Sequence, residues 1–450
     1  MNTILLGIAS TIAIVIAIMT VFHRQIAASQ NPILQYLNAL TTYILQLWER
    51  CFGPVLTLDS GIQCRVGRQI AEGGFSVVFR ATPVGSSSTA DNSSSVYALK
   101  RIRCMDAETR SACLKEAKVH RALSKNNSSG AKQYTMPLIG MTFTDNNSMC
   151  YMLFPFYPYS LRQEINQRIF DPLQELEESQ KKHQHSALRS KHKQQLNDLL
   201  NFQPWNEAVV LKMFQHLCEA VNAMHQAGYT HRDIKVENVL LQGSNTHHLT
   251  QPVLMDFGSA GPLKRTLATR RDVWEIAEEA SQHSTISYRA PELFTGELRT
   301  SSTSSVGSAN DDDTLDYTKC DVWMLGCTLF ATLYGASPSE CEFSRQTGQV
   351  RIVECTHNKV LGPIPRPAAD TPTAKWYSPQ IKELLEWILT QNRTDRPTLS
   401  QVISRVNLLL QRSGNDSDPA IGASGNGGMG SMELDVENQV DLSFATKSVF

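Results

Sequence analysis

The chain carries almost no net charge: 42 Lys and Arg stand against 43 Asp and Glu, for a formal charge of −1 and a pI near 6.9. Without a basic or acidic field over the whole molecule, nucleic acid is not an expected partner and recognition has to be local. The ten cysteines form no C-x-x-C pair, the spacing that zinc and dithiol redox sites need, so reduced thiols in a cytosolic setting are expected. No repeat of fixed period is present. At 450 residues the chain exceeds a single core, and 41% hydrophobic residues with 25 glycines exclude a fully disordered or collagen-like polymer.

One long apolar run is present. Residues 3–22, TILLGIASTIAIVIAIMTVF, contain no charged side chain, and 20 helical residues cross a hydrocarbon core of roughly 30 Å. A cleaved signal peptide would place a basic region before a shorter apolar core. Here only Met1 and Asn2 precede the run, and His23 and Arg24 come after it, which favours a cytosolic C-terminal side. Next, Ile33, Leu37, Leu40, Ile44, Leu47 and Cys51 recur every three or four residues between polar positions. That pattern predicts an amphipathic helix over 33–52, lying on the membrane surface or packed on the soluble part. Residues 1–55 therefore read as a single-pass membrane anchor.

Polar runs divide the rest of the chain. Residues 85–95, 171–203 and 299–316 read as insertions and 413–450 as a disordered tail, with a further polar run at 124–132, because such compositions bury too little apolar surface to order themselves. The second insertion contains His183, His185 and His192, but its dense mixed charge reads as a solvated helix rather than a metal site. Between the insertions, strands are expected at 63–70, 76–81, 95–102, 138–143 and 149–154 around one helix at 106–123. After Pro204 the helical period takes over, most strongly at Val210, Met213, Phe214, Leu217, Val221 and Met224. The expected fold class is α+β, with a small β-rich lobe at 59–153, a larger helical lobe at 154–412 and a cleft between them.

The chemistry-bearing residues gather at that junction. His231-Arg232-Asp233-Ile234-Lys235-Val236-Glu237-Asn238 is followed 18 residues beyond Asn238 by Asp256-Phe257-Gly258. Upstream stand Val96-Tyr97-Ala98-Leu99-Lys100 and, on the next helix, Glu116; downstream, Ala290-Pro291-Glu292 closes a 37-residue segment counted from Asp256. In this order and spacing the motifs resemble those of eukaryotic protein kinases over about residues 60–410, implying the bilobal kinase fold. Finer details resemble the Numb-associated kinase family, and within it the serine/threonine kinase 16-like branch. These are Glu72-Gly73-Gly74-Phe75-Ser76, Phe154-Pro155-Phe156, Val253 to Ser259 and Thr285 to Glu292.

The resemblance implies roles. Phosphoryl transfer needs positioning and charge neutralisation more than covalent help. Lys100, oriented by Glu116, would hold the α- and β-phosphates of ATP. Asn238 and Asp256 would hold Mg²⁺. Asp233 would orient the acceptor hydroxyl and take its proton, while Lys235 would meet the γ-phosphate, its place two residues after the aspartate resembling serine/threonine kinases. Ala71, Glu72, Gly73, Gly74, Phe75, Ser76, Val78, Ala98, Phe154 and Phe156 would complete the nucleotide site. The glycine-rich loop departs from pattern, with Ala71 and Ser76 where the first and third glycines belong, although Gly73 and Gly74 still permit close backbone approach to phosphate. Asp321 would brace the catalytic loop and Arg396 would pair with Glu292.

Familiar members of the branch reach Golgi or trafficking membranes by N-terminal acylation. Met1-Asn2 offers no glycine for myristoylation, so a spanning segment takes the place of the lipid, and the expected partners are the membrane and protein substrates with Ser or Thr acceptors. A pseudokinase scaffold that recruits trafficking partners is the alternative, supported only by the altered glycines.

Within the 256–292 segment, Thr269-Arg270-Arg271-Asp272 followed by Val273, Ile276, Ala277 and Ala280 reads as a capped amphipathic helix. The alternative is a loop ordered by phosphorylation at Thr266, Thr269, Ser284 or Thr285, with Arg232 engaging the phosphate. Because a spanning helix inserts effectively irreversibly, the full chain is expected to resist carbonate extraction and a chain lacking residues 1–30 to be released. Release of the full chain contradicts the anchor, and glycosylation at Asn392-Arg393-Thr394 would place the kinase side in the lumen.

Overall fold

The computed structural model describes residues 53–74, 76–84, 96–125, 133–170, 205–242, 251–267, 269–294, 314–346 and 348–415. The anchor expected at 3–22 and 33–52, the insertions 85–95 and 171–203 and most of 299–316 lie outside the described residues, as does Phe75. Among the described residues no helix is long and apolar enough to cross a membrane. The described residues form two compact units: 53–110 with Leu138–Phe156, and Ser111–Pro137 with 157–415.

The first unit is an antiparallel sheet of six strands in the order β1-β2-β3-β4-β6-β5. They are β1 Val55–Thr57, β2 Gln63–Glu72, β3 Ser76–Pro83, β4 Tyr97–Arg103, β5 Gly140–Thr144 and β6 Met149–Pro155. Five of them match the expected strands to within a few residues. The sixth, β1, begins at the position where the anchor is expected to end. Three residues are too few to show a period, and the strand exists because Val55 and Thr57 pair with Arg65 and Gln63. Leu58, Cys64, Ala81, Leu99 and Leu153 form the core, the side-chain alternation of each strand turning one set inward.

The second unit is mainly helical. In Glu207–Gln226 the expected stripe of Val210, Met213, Phe214, Leu217, Val221 and Met224 is fully buried. Its neighbours include Leu399–Asn415 and Tyr317–Tyr334. The latter helix is buried along nearly all its length. It approaches the helix Pro379–Ile388 so closely that a Cβ on Gly326 would stand 2.7 Å from Ile388 Cγ2, which is why glycine occupies that position. A small antiparallel sheet, β7 Tyr159–Ser160, β8 Val239–Leu241 and β9 Pro252–Leu254, adjoins the segment 231–238. The helix Ala107–Lys125, expected at 106–123, belongs to this unit from Ser111 onward.

Two boundaries differ from the expected ones. Thr314–Asp316, assigned to an insertion, forms β11 and pairs with β10, Lys264–Thr266. The last helix continues to Asn415, past the expected start of the tail at 413. In both cases tertiary pairing or helix continuation overrides a polar composition.

The lower part of this unit is tied by a buried ion pair. Arg396 Nη1 and Nη2 donate to Glu292 Oε1 and Oε2 at 2.7 and 2.9 Å, and the guanidinium also donates to the carbonyls of Thr390, Lys319 and Gln391. Burial alone would raise the Glu292 pKa, but the adjacent Arg396 charge and its hydrogen bonds hold the carboxyl below its ordinary value. Removing one partner strands the other charge, so Arg396→Met is expected to cost about 3–5 kcal/mol in a denaturant titration. The combined Arg396→Met, Glu292→Leu variant should recover much of that loss.

Candidate active site

Asp321, fully buried in the helix Tyr317–Tyr334, organises the catalytic segment. Its Oδ1 accepts from Arg232 N and its Oδ2 from His231 N, both at 2.9 Å, and Oδ2 also accepts from His225 Nε2 at 2.8 Å. Burial would push this carboxyl up, but the hydrogen bond and charge of His225 and the Arg232 N–H outweigh it and hold the pKa low. The two backbone bonds fix Arg232 at φ +69°, a left-handed conformation uncommon for a residue with a side chain.

His231 passes this constraint on. Its Nδ1 accepts from the Asp233 N–H at 3.2 Å and its Nε2 lies 3.1 Å from the Met255 carbonyl. A carbonyl can only accept, so Nε2 carries the proton and one tautomer is selected. The pairing of Val239 with Leu254 sets the ends of β8 and β9 side by side, and Met255 N donates to Asn238 O at 3.0 Å. Asn238 and Asp256 thus stand together. Asn238 Nδ2 donates to Asp233 O and Oδ2 at 2.8 and 3.2 Å, turning its amide oxygen the other way. Asp256, at φ +64°, is exposed while Phe257 beside it is buried.

Asp233 meets three partners. Its Oδ2 lies 2.9 Å from Lys235 Nζ, and its Oδ1 accepts from Thr285 N and Oγ1 at 3.0 and 2.8 Å. Lys235 Nζ in turn donates to Thr285 Oγ1 at 2.7 Å. The Thr285 hydroxyl therefore receives from the lysine and gives to the aspartate, tying carboxylate, cation and segment 256–292 into one cluster. From the sequence, Thr285 stands out as a possible phosphorylation site and as the first residue of the stretch Thr285 to Glu292 that carries the family resemblance. Its place immediately before the short turn Ile286–Tyr288 carries no signal of a structural role.

The 256–292 segment is helical where expected. The helix Arg270–His283 starts at Thr269 with a complete capping box: Thr269 Oγ1 accepts from Asp272 N, and Asp272 accepts from Thr269 N at 2.7 Å. Val273, Ile276 and Ala280 are buried. Arg232, considered as a phosphate acceptor site, instead donates to Glu279 Oε1 of this helix at 2.8 Å and to the Pro262 carbonyl at 3.1 Å. Its guanidinium also lies 3.6 Å from the centre of the Tyr317 ring. Arg265 closes the network on Glu279 and Glu275 at 3.0 and 2.8 Å. Ser284, another candidate acceptor, is buried and bonded to the Ala280 carbonyl and Arg289.

In the first unit the expected nucleotide residues follow the sheet register. Ala71 opposes Val78, Val78 opposes Lys100, and Ala98 opposes Phe154; Phe156 comes directly after β6. Glu72 ends β2, and the turn at Gly73 is closed by its N–H donating to Ser76 O at 2.8 Å. A Cβ on Gly74 would meet nothing within 4 Å and one on Gly73 nothing closer than 3.7 Å. Internal packing therefore makes no demand for glycine at either position, and the open backbone fits a phosphate drawn close to it. Glu116 is buried in the second unit. Asn238 and Asp256 carry hard oxygen atoms of the kind Mg²⁺ takes, and are the residues that would hold it. Among the described residues no group of three or more His, Cys, Asp or Glu is gathered for a metal.

The protein kinase domain model matches residues 64–406. Serine/threonine-protein kinase 16 of Rattus norvegicus and that of Homo sapiens are each 26% identical over 343 residues, 76% of this chain and 88% of theirs. Serine/threonine-protein kinase ppk13 of Schizosaccharomyces pombe is 25% identical over 397 residues, 85% of this chain and 100% of its own. The chain belongs to the protein kinase family, and the resemblance to the serine/threonine kinase 16-like branch is borne out.

The cluster and the buried carboxylates set two expected outcomes. Thr285→Ala is expected to lower kcat about 10- to 100-fold by loosening Asp233 and Lys235, with the KM for ATP little changed in steady-state assays. Asp321 has a folded-state pKa below the ordinary 3.8 and Glu292 one below 4.5, so the stability they add is present above those values and is lost as pH falls through the lower folded ones. Acid unfolding tracked by circular dichroism should therefore begin below the ordinary carboxylate range and become shallower in Asp321→Asn.

Proposed function

We propose that the chain is a membrane-tethered serine/threonine protein kinase acting in endomembrane trafficking or signalling, its catalytic side in the cytosol. The observation that carries the catalytic reading is the Lys235–Thr285–Asp233 cluster, which places a carboxylate and a cation side by side on a fixed loop. An acceptor hydroxyl brought to that cluster would be oriented by Asp233, which takes its proton, while Lys235 offsets charge developing on the transferred phosphoryl group. Lys100 would hold the α- and β-phosphates of ATP, with Ala71, Val78, Ala98 and Phe154 around the nucleotide. Asn238 and Asp256 would hold Mg²⁺, which supplies neutralisation of phosphate charge when bound. The names of the relatives support Ser and Thr acceptors. The uncharged run 3–22 supports the tether, and the complete set of charged residues argues against a scaffold that has lost catalysis.

Activity without prior phosphorylation belongs to the same reading. A phosphate would order this segment by meeting Arg232, and here Glu279 already does so at 2.8 Å. Phosphatase-treated enzyme is expected to keep most of its activity, and Val273→Asp with Ile276→Asp should weaken transfer to protein more than binding of ATP. Loss of all activity on dephosphorylation, or rapid amide exchange across 270–280, overturns this. Asp233→Asn and Asp256→Asn should each remain folded and lower transfer by about two or more orders of magnitude. Transfer at the unmodified rate by either variant contradicts the assignment.

A further inference from the structure

The segment that follows the expected anchor is built into the sheet of the first unit. Gly53 is buried, and a Cβ there would overlap the Val66 carbonyl oxygen. Its own carbonyl accepts from Arg65 Nη1 at 2.7 Å, and the Pro54 carbonyl accepts from Val66 N at 2.8 Å. Val55, Leu56 and Thr57 then pair with Arg65, Cys64 and Gln63 as β1. Beyond β1 the chain crosses one face of the sheet. Leu58 packs with Cys64, Ala81, Leu99 and Leu153, and Asp59 reaches β5 at the opposite edge: its N–H donates to Met141 O at 2.9 Å and its Oδ1 accepts from Met141 N at 2.8 Å. A Cβ on Gly140 would overlap Ser60 Oγ and stand 3.1 Å from Leu58 Cβ. Residues 53–60 are thus a strap from one edge of the sheet to the other, and they cannot lift away without opening its core.

The sequence places no linker ahead of this strap. The amphipathic pattern of 33–52 ends in Leu47-Trp48-Glu49-Arg50-Cys51-Phe52, directly before Gly53, with no Gly- and Ser-rich run of the kind that makes a flexible joint. The strap also sets a distance. Pro54 stands opposite Val66, and the turn at Gly73, which can approach a phosphate, lies seven residues beyond Val66 at the end of β2. At the strand rise of roughly 3.3 Å per residue, that turn is about 23 Å from the point where the chain enters the sheet.

We propose that the strap is a fixed joint that selects acceptors by their distance from the membrane. An acceptor hydroxyl has to come to the phosphate at the Gly73 turn, and the joint keeps that turn close to the end of the anchor. The favoured substrates are therefore Ser and Thr residues carried near the bilayer, on membrane proteins or on proteins docked at the same surface. This names the substrate class of the membrane-tethered kinase reading and rests on that reading.

The test reconstitutes the full chain in phosphatidylcholine vesicles that also carry a lipid-linked acceptor, the serine or threonine peptide that the chain labels best when free. The peptide is joined to the lipid by flexible Gly and Ser spacers of about 20 or about 160 residues, and a variant of the chain carries about 60 such residues between Phe52 and Gly53. Effective concentration falls roughly as the −3/2 power of tether length, so the unmodified chain should favour the short spacer about 20-fold. The insertion lengthens both tethers alike and should cut that preference to about fivefold, with the rate on free peptide unchanged. A preference under about tenfold in the unmodified chain, or one that the insertion leaves unaltered, overturns the proposal. Amide exchange reads the joint without any variant: the Leu58, Asp59 and Val66 amides should exchange as slowly as those of β3 and β4, and fast exchange overturns the fixed joint. Two further results are distinct from these. A full chain that does not float with the vesicles overturns the tether, and absence of transfer to any free peptide overturns the kinase reading itself.

Discussion

The catalytic segment depends on a single buried carboxylate. Asp321 accepts two backbone N–H groups and one imidazole N–H, and these bonds hold Arg232 in a left-handed conformation that its own side chain disfavours. A strained residue persists only where its surroundings over-determine it. Arg232 and Asp233, adjacent in the chain, meet different neighbours. Arg232 joins the helix Arg270–His283, and Asp233 joins Lys235 and Thr285.

That division ties the segment 256–292 to the loop around Asp233. Arg232 is enclosed by Glu279, the Pro262 carbonyl, Thr230 and the Tyr317 ring. The approach is close enough that a Cβ on Gly261 would stand 2.2 Å from Arg232 Cζ, so any side chain there would displace the guanidinium from these partners. The amphipathic helix Arg270–His283 brings Glu279 to this point because its three buried residues dock it, and an isolated helix of this length would be marginal in water. Glu292 and Arg396 close the far end of the same segment with a bidentate pair. The segment is thus held at Thr285, at Glu279 and at Glu292.

Much of this is legible in the residues. The T-x-x-D start and the Val273, Ile276, Ala280 stripe announce the helix, because capping and periodicity are local properties. The strands β2 to β6 and the stripe of Glu207–Gln226 are readable for the same reason, and ordered motif spacing identifies Asp233, Lys235, Asn238 and Asp256. The features that escape depend on contacts distant in sequence. Strand β1 exists through three pairs with β2, and β11 lies at the edge of a polar run whose composition resembles a loop. Glu279 is one of three glutamates in a short stretch, and only its place on the folded helix sets it against Arg232. Thr285 is 52 residues from Asp233. Its bridging of Lys235 and Asp233 depends on that distant contact.

On the proposed function, the Lys235–Thr285–Asp233 cluster serves the transfer of phosphate to aliphatic hydroxyls. The most direct measurement incubates the purified full chain with γ-labelled ATP, Mg²⁺ and a mixed panel of serine, threonine and tyrosine peptides, and identifies the phosphoamino acids formed. Label on serine and threonine is expected. Label on tyrosine alone, or no transfer from a folded chain that binds Mg·ATP, would contradict it.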